Sequence, residues 1–147
     1  MSIKLSTGLR AAMLATGSLK SQLDGGEIRI YSGPEPTSAA AAITGSNVLL
    51  CKIKTDVNGG LTLSSTAPGG TITKNPSEVW QGTVLADGVA TFFRFTQAAD
   101  DDTASSSFAR VQGAVGNAGS DMYLSSTSLV TGAVQRLEAF ALSLPEV

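Results

Sequence analysis

The sequence predicts a mainly β fold: an antiparallel β-sandwich, jelly-roll-like, with a short N-terminal helix. Three observations support this. Short segments alternate apolar and polar residues, Gly- and Asp-rich turns separate them, and no strand–helix alternation appears after residue 45. Period-two alternation is typical of half-buried strands, and strands at this spacing are typical of sandwiches and barrels. A regular alternation of strands and helices would instead indicate a parallel α/β fold.

The first 24 residues contain the best helix candidate. Ser6 or Thr7 can cap it, and Leu9, Met13 and Leu14 fall on one face. A helix with one apolar face must bury that face against another surface. We therefore interpret residues 1–24 as an N-terminal helical arm. The sequence leaves open whether this arm packs on its own sheet or docks on a neighbouring subunit.

Residues 25–147 are predicted to form the β-sandwich domain. The segment VNGG at 57–60 predicts a tight hairpin, because Asn-Gly accepts the positive φ angles of a primed turn. This hairpin would join the strand NVLLCKIK to the strand LTLSS. The full set of predicted strands is Glu27–Tyr31, Asn47–Lys54, Leu61–Ser65, Thr71–Lys74, Glu78–Leu85, Val89–Thr96, Phe108–Val115, Met122–Ser125 and Val134–Leu144.

The segment SGPEPTSAAAAITG, residues 32–45, lies between the first two predicted strands. Pro34 and Pro36 fix φ and restrict the residues before them, so this part is a rigid corner. Thr37 or Ser38 can then cap one turn of helix through Ala39–Ala42. We interpret the segment as scaffold that positions the next strand without presenting a functional group.

The composition limits the classes of function. The net charge is −2 and the basic residues are scattered, which argues against a nucleic-acid surface. No apolar run approaches the roughly 20 residues of a membrane span. Histidine is absent, which removes Ser-His-Asp and Cys-His catalysis and most zinc sites. Only 15% of residues are charged, and a weakly charged surface suits a protein that lies against other proteins. An enzyme, such as a wall-degrading hydrolase, is therefore the least favoured class.

Two features have some chemical character. Cys51 lies in an apolar strand, where a thiol is usually an inert small hydrophobe, and one cysteine cannot form an internal disulfide. Asp100, Asp101 and Asp102 are adjacent carboxylates of the kind that calcium binds. Consecutive side chains diverge, however, so a solvated acidic loop tip is favoured, and cation binding stays open. The sequence accordingly indicates no catalytic, cofactor-binding or metal-binding residue and no cofactor.

Aromatic residues are predicted to belong to the core first. In the strand that contains ATFFRF, Phe93 and Phe95 share one face, and Phe92 and Arg94 share the other. One face is expected to pack in the core. The other can be either core or an interface, because aromatic and Arg side chains are favoured at protein contacts. Trp80 allows the same two interpretations.

A resemblance adds a biological context. The ordered blocks extend over nearly the whole chain, and they are IRIYSGPEPTSAAAA, LLCKI, GGTITKNPSEVWQG, GVATFFRF, ARVQGAVGNAGSDMYLSS and FALSLP. In this order they resemble a family of small virion proteins of tailed bacteriophages. The resemblance implies a β-rich subunit of a phage particle, assembled in the host bacterial cytoplasm. It implies no catalytic residues, and it leaves the position in the particle open.

Two functions from different classes follow as expectations. The favoured one is a non-enzymatic structural protein of the virion that decorates the head or forms part of the head–tail neck or collar. Its partners would be capsid, neck or tail subunits, it would form a homo-oligomer, and it would bind neither nucleic acid nor membrane. The alternative is a host-surface-binding module of the tail tip or fibre. That module would use the loops at 97–107 and 116–121, which lack the exposed aromatics of a sugar site.

Overall fold

The chain is built around one large, mostly antiparallel sheet. The computed structural model describes residues 3–144, with 35% of the chain in strands and 12% in helices. The predicted mainly β class with a short N-terminal helix is therefore confirmed. The helices are α1, Thr7–Ala15, and α2, Leu19–Leu23, and the strands are β1 Lys4–Leu5, β2 Glu27–Tyr31, β3 Leu49–Thr55, β4 Thr71–Thr73, β5 Trp80–Thr83, β6 Gly88–Val89, β7 Phe92–Thr96, β8 Val111–Gly116, β9 Met122–Tyr123, β10 Ser128–Leu129, β11 Val134–Leu137 and β12 Ala141–Ser143.

The large sheet has the strand order β1-β8-β7-β2-β3-β5-β11, and every neighbouring pair on this path is antiparallel. Strand β9 joins the same sheet by pairing with β8 in the parallel direction. Two short antiparallel ribbons, β4 with β12 and β6 with β10, complete the β-structure of the described residues. Since β2, β3, β7 and β8 come from distant parts of the chain, long-range pairing dominates the fold.

One face of the large sheet forms the apolar core. The register places Ile28 opposite Phe95 and Ile30 opposite Phe93, and all four side chains are fully buried. Trp80 meets Phe95 edge-on, with ring centroids 6.1 Å apart, which is a favoured aromatic geometry. The predictions that Phe93 and Phe95 share a buried face and that Trp80 belongs to the core are both confirmed.

The N-terminal helices pack on the chain's own sheet. Leu9, Leu19 and Leu23 are buried in the same core as the sheet residues. Strand β1 also pairs with β8, so the described part of residues 1–24 is held by backbone hydrogen bonds as well. The predicted apolar face of α1 is only partly buried, because Leu14 is 89% exposed.

Local sequence explains how α1 begins and how closely it packs. The Ser6 hydroxyl accepts a hydrogen bond from the Leu9 N–H at 3.2 Å, which confirms Ser6 as the N-cap. Gly8 then lets the first turn approach the chain that precedes β8. A Cβ at this position would lie 2.5 Å from the Ser107 carbonyl, so a larger residue would push the helix away.

The predicted hairpin at 57–60 is wrong. The chain does turn there, with the Asn58 N–H bonded to the Thr55 carbonyl at 2.8 Å and a positive φ at Asn58. The segment LTLSS does not return along β3, however, because β5 occupies that edge and β2 occupies the other. Its residues instead form single bridges, Leu61 with Gly26 and Leu63 with Lys74.

The predicted helical turn at Ala39–Ala42 is also wrong. Residues 38–41 form a single β-turn in which the Ala41 N–H bonds to the Ser38 carbonyl at 3.1 Å. The Ser38 hydroxyl accepts a second bond from the Ala40 N–H, also at 3.1 Å. The Ala39 and Ala41 carbonyls instead accept hydrogen bonds from the side chains of Arg110 and Arg94.

Candidate functional site: a buried arginine network

The second face of the large sheet is polar and nevertheless buried. Every residue of β2 and of β7 is buried, although Glu27, Arg29 and Arg94 on these strands are charged. The segments 32–48 and 97–110 cover this face. We call the charged side chains between these segments and the sheet the arginine network; Glu27, Arg29 and Arg94 come from the sheet, and Asp100, Asp102 and Arg110 come from the segment 97–110.

The strongest contact in the arginine network joins Arg110 to Asp100. The guanidinium donates two parallel hydrogen bonds to the carboxylate, from Nε to Oδ2 at 2.5 Å and from Nη2 to Oδ1 at 2.7 Å. Both side chains have no exposed surface. Burial by itself raises the pKa of Asp100, but hydrogen bonds from Arg110, Thr96 and the Asp102 N–H outweigh burial and hold this pKa below its ordinary value.

Asp102 links Tyr31 with two further arginines. The Tyr31 hydroxyl donates to Oδ2 of Asp102 at 2.5 Å. Oδ1 of Asp102 lies 3.3 Å from Nη1 of Arg29 and 3.9 Å from Nη1 of Arg94. Burial, and then the hydrogen bond to Asp102, raise the pKa of Tyr31 far above its ordinary value, so this phenol remains a neutral donor. Burial and the nearby charge of Arg110 lower the pKa of Arg94.

Arg29 is held between two carboxylates. Its Nε donates to Oε2 of Glu27 at 2.7 Å. Burial by itself lowers the pKa of Arg29, but the hydrogen bond to Glu27 and the charges of Asp102 and Glu27 outweigh burial and raise it. Lys52 and Lys54 also approach Glu27, at 3.8 and 3.7 Å, from the more exposed end of the network.

The alanine segment closes the network with its backbone. Arg94 donates to the Ala41 carbonyl at 2.6 Å, and Arg110 donates to the Ala39 carbonyl at 3.2 Å. The small alanine side chains allow the backbone to lie this close to the guanidinium groups. The sequence interpretation of this segment as inert scaffold missed the role of its carbonyl groups as hydrogen-bond acceptors.

The proline corner is anchored in the same way. Gln112 donates to the Pro36 carbonyl at 2.8 Å, and Asn47 donates to the Pro34 carbonyl at 2.9 Å. Glu35, between the two prolines, forms an ion pair with Lys4 at the start of β1. The corner therefore ties the covering segment 32–48 to the sheet.

The prediction of a solvated acidic tip at Asp100–Asp102 is wrong for two of the three residues. Asp100 is buried against Arg110, and Asp102 is bonded to Tyr31, so only Asp101 is exposed. Within residues 3–144, no group of three or more His, Cys, Asp and Glu side chains is placed to hold a metal ion. Asp100 and Asp102 bind arginine and tyrosine instead, and Asp101 accepts hydrogen bonds from Thr103.

The interface interpretation of Phe92 and Arg94 is likewise wrong for the single chain. Both side chains are fully buried, and Phe92 stacks on Tyr31 with ring centroids 5.1 Å apart. The interpretation of Cys51 as a buried structural thiol is confirmed, because it has no exposed surface. Burial raises the pKa of this thiol to about 11, so it is protonated at neutral pH.

Sequence reasoning missed the arginine network because its members are far apart in the chain. The available signal was the alternation of Arg29 with Ile28 and Ile30, and of Arg94 with Phe93 and Phe95. Such alternation usually marks a strand with one solvated face. Only the covering segments, which lie elsewhere in the sequence, turn that face into a buried one.

Open clefts lie beside the sheet on the surface of residues 3–144. The first, of about 370 Å³, is lined by Lys52, Lys54 and Gln81 among others. Two adjoining clefts of about 640 and 550 Å³ share Tyr123 and Arg136. None of the six members of the arginine network lines these clefts, although the neighbouring Lys52 and Lys54 line the first. The guanidinium groups of the network bind protein carbonyls and carboxylates instead.

The network can therefore hold two long segments over a sheet, which is a structural role.

Among residues 3–144, no helix is long and apolar enough to cross a membrane. Comparisons of the chain with protein-family models, with curated proteins and with solved structures give no match.

Proposed function

We propose that this chain is a non-enzymatic structural protein of a tailed-phage virion, which decorates the head or forms part of the neck or collar. The resemblance to small virion proteins supports this proposal, because its ordered blocks extend over nearly the whole chain. The partners would be other virion subunits, including further copies of this chain. A subunit of this kind must present a stable surface to its neighbours, and two features of the structure support that role.

The observation that carries the proposal is a set of exposed apolar side chains at one end of the sheet. Leu85, Val89, Val130 and Val134 are each more than half exposed. They lie in two segments that run side by side, because Val84 bonds to Ala133 and to Gly132, and β6 pairs with β10. We call these four residues the apolar corner. Exposed apolar groups that cluster in this way are typical of protein contact surfaces.

The arginine network supplies the second supporting feature. Seventeen residues between β2 and β3 and a further long loop after β7 lack regular structure, yet their backbone carbonyls are bonded to buried Arg94 and Arg110. Long irregular segments are ordinarily the more mobile parts of a protein. Tying them to a sheet makes the surface rigid, which lowers the entropy lost when subunits associate.

Purified particles provide the test. Immunogold labelling with antibody to this chain, together with mass spectrometry of the same particles, should detect the chain in the virion. Gold spread over the head would indicate decoration, and a single cluster where head meets tail would indicate the neck or collar. Absence of the chain from particles by mass spectrometry would refute the proposal.

Variants then test the apolar corner. The double variant Val89→Ser/Val130→Ser should fold normally but be incorporated into particles at a reduced level. Val57→Ser is the matched control, because Val57 is 83% exposed and lies outside the apolar corner. Equal incorporation of the double variant and the control would show that the apolar corner is not the contact surface.

The host-binding alternative receives no comparable support. The loop at 97–107 is tied to the sheet through Asp100, Asp102 and Thr103. In the loop at 116–121, Asp121 accepts a hydrogen bond from the Ala114 N–H at 2.9 Å. Gold label at the distal tip of the tail would favour this alternative over the head or neck.

A further inference from the structure

Strand β11 forms one edge of the large sheet, and two of its backbone N–H groups point outward without a partner strand. The Val84 N–H bonds to the Ala133 carbonyl, and hydrogen-bonded pairs alternate along an antiparallel ladder. The N–H groups of Val134 and Arg136 therefore point away from β5. Neither has a backbone acceptor among residues 3–144. The Arg136 carbonyl accepts from the Gln135 side chain at 2.8 Å.

Strand β9 presents a second unpaired edge. The Leu124 N–H donates to the Gly116 carbonyl at 3.0 Å, and Met122 pairs with Val115 in the same parallel ladder. Because alternate residues of a parallel strand bond to the same neighbour, the N–H and carbonyl of Tyr123 point away from β8. These groups also have no backbone partner among the described residues.

A cleft separates these two edges. The cleft of about 550 Å³ is lined by Val134–Arg136 on one side and by Tyr123–Ser125 on the other. It continues into the cleft of about 640 Å³, with which it shares Tyr123, Arg136, Glu138 and Ala139. We call this continuous space the seam. It lies between β11, at one end of the sheet, and β9, which pairs with β8 near the other end.

We propose that the seam binds an extended segment of a neighbouring polypeptide as an added β-strand. The unpaired N–H groups of Tyr123, Val134 and Arg136 would donate to the carbonyls of that segment. A strand rises about 3.3 Å per residue, so the length of β11 matches an inserted segment of about four residues. Addition of a strand to an exposed sheet edge is a general mode of peptide recognition in which main-chain hydrogen bonds supply the affinity.

The charges and lining of the seam specify an uncharged occupant. Arg136 pairs with Glu138, Lys74 donates to the Glu78 carbonyl, and Asp121 is bonded to a backbone N–H. Each of these charged groups therefore already has an ion-pair or hydrogen-bond partner within the chain. Apolar side chains also line the seam, namely Met122, Leu124, Val134, Ala139 and Phe140. A segment of small or branched uncharged residues fits this lining, whereas a charged residue would lose hydration without gaining a partner.

A tethered segment tests the inference on the isolated chain. The sequence Thr-Val-Thr-Val-Thr is appended after Val147 through a flexible Gly/Ser linker of about fifteen residues, which spans about 20 Å on average. Tethering gives a millimolar effective concentration, so that weak binding is detected. Amide hydrogen exchange measured by NMR should slow at least tenfold at Tyr123, Val134 and Arg136 and stay unchanged at the exposed turn residue Val57.

Two controls separate strand addition from other effects. A fusion that carries Thr-Pro-Thr-Pro-Thr cannot pair as a strand and should give no protection. Arg136→Pro in the first fusion removes one outward N–H while leaving the β5 ladder intact, and should abolish protection at Tyr123 and Val134. Arg136→Ala keeps that N–H and should retain the protection. Melting temperatures of both variants establish that they are folded.

The inference is overturned if the three amides exchange at the same rate with and without the tethered segment. It is also overturned if the proline-containing fusion protects them equally. Either result would leave the virion proposal unaffected, because that proposal is tested on purified particles and not on the isolated chain. Conversely, a chain absent from virions can still bind a strand in the seam.

Discussion

Replacement of Arg110 by methionine is expected to be among the most damaging changes to this fold. The variant keeps much of the side-chain volume but removes two hydrogen bonds to Asp100, one to the Ala39 carbonyl and one to the Thr103 carbonyl. The Asp100 carboxylate, which has no exposed surface, is then left buried without its counter-ion. Breaking a buried ion pair in this way costs about 3–5 kcal/mol.

Urea unfolding provides the assay, with the fluorescence of Trp80 as the probe. This residue is the single tryptophan and is 1% exposed, so unfolding changes its environment completely. Taking a dependence of about 2 kcal/mol per molar urea, the unfolding midpoint of Arg110→Met should fall by roughly 2 M. The expected loss of about 3–5 kcal/mol is a large fraction of the roughly 5–15 kcal/mol stability of a typical domain.

A surface arginine provides the matched control. Arg136→Met removes a charge whose side chain is 54% exposed and whose partner, Glu138, is 77% exposed, so the stability should change by less than about 0.5 kcal/mol. Adding Asp100→Asn to Arg110→Met should recover part of the loss, because the buried group is then neutral. A loss below about 1 kcal/mol for Arg110→Met would refute the argument that the network holds the covering segments in place.

Four further predictions follow from the same structure. Gly82→Ala should lower the melting temperature by about 6–12 °C, since a Cβ there would lie 1.9 Å from a backbone oxygen of β3, whereas Gly45→Ala, with no atom within 4 Å, should be neutral. The Cys51 thiol, with its pKa near 11, should react with a thiol reagent at pH 8 only after unfolding, as followed by absorbance. The folded-state pKa of Asp100 lies below its ordinary value of about 3.9. The ionised carboxylate therefore stabilises the fold fully above about pH 5, and this stabilisation is lost as the pH falls. The difference in unfolding free energy between wild type and Asp100→Asn should accordingly narrow from pH 6 to pH 3 in urea titrations. Removal of residues 1–23 takes three buried leucines from the core, each worth about 2–5 kcal/mol, so the truncated chain should show no cooperative melting by circular dichroism.

The truncation prediction depends on which surface the N-terminal helical arm meets, a point that the sequence left open. The sequence showed an amphipathic helix around Leu9 but did not reveal which surface its apolar face would meet. Leu9, Leu19 and Leu23 pack on the chain's own sheet, while Leu14 is left exposed. A docking role for the helix is therefore limited to the exposed part that includes Leu14.

The strand predictions succeeded where the pattern was local. Ile28 and Ile30 alternate with polar residues, as do Phe93 and Phe95 with Arg94, and both segments form the expected strands with the expected buried face. Period-two alternation within five residues is enough to define a strand and its apolar side. The hairpin at 57–60 failed because the partner of β3 is chosen among distant strands.

The sequence by itself determined the class of fold, the apolar face of the central strands and the start of the first helix to within one residue, at Ser6 or Thr7. These properties depend on residues within about one turn or one strand of each other. Only the tertiary structure decided the surroundings of Arg29, Arg94 and Arg110, because their partners are up to 73 residues away in the chain. The covering segments exclude water from that face, and the buried charges then require carboxylates and alanine carbonyls as partners.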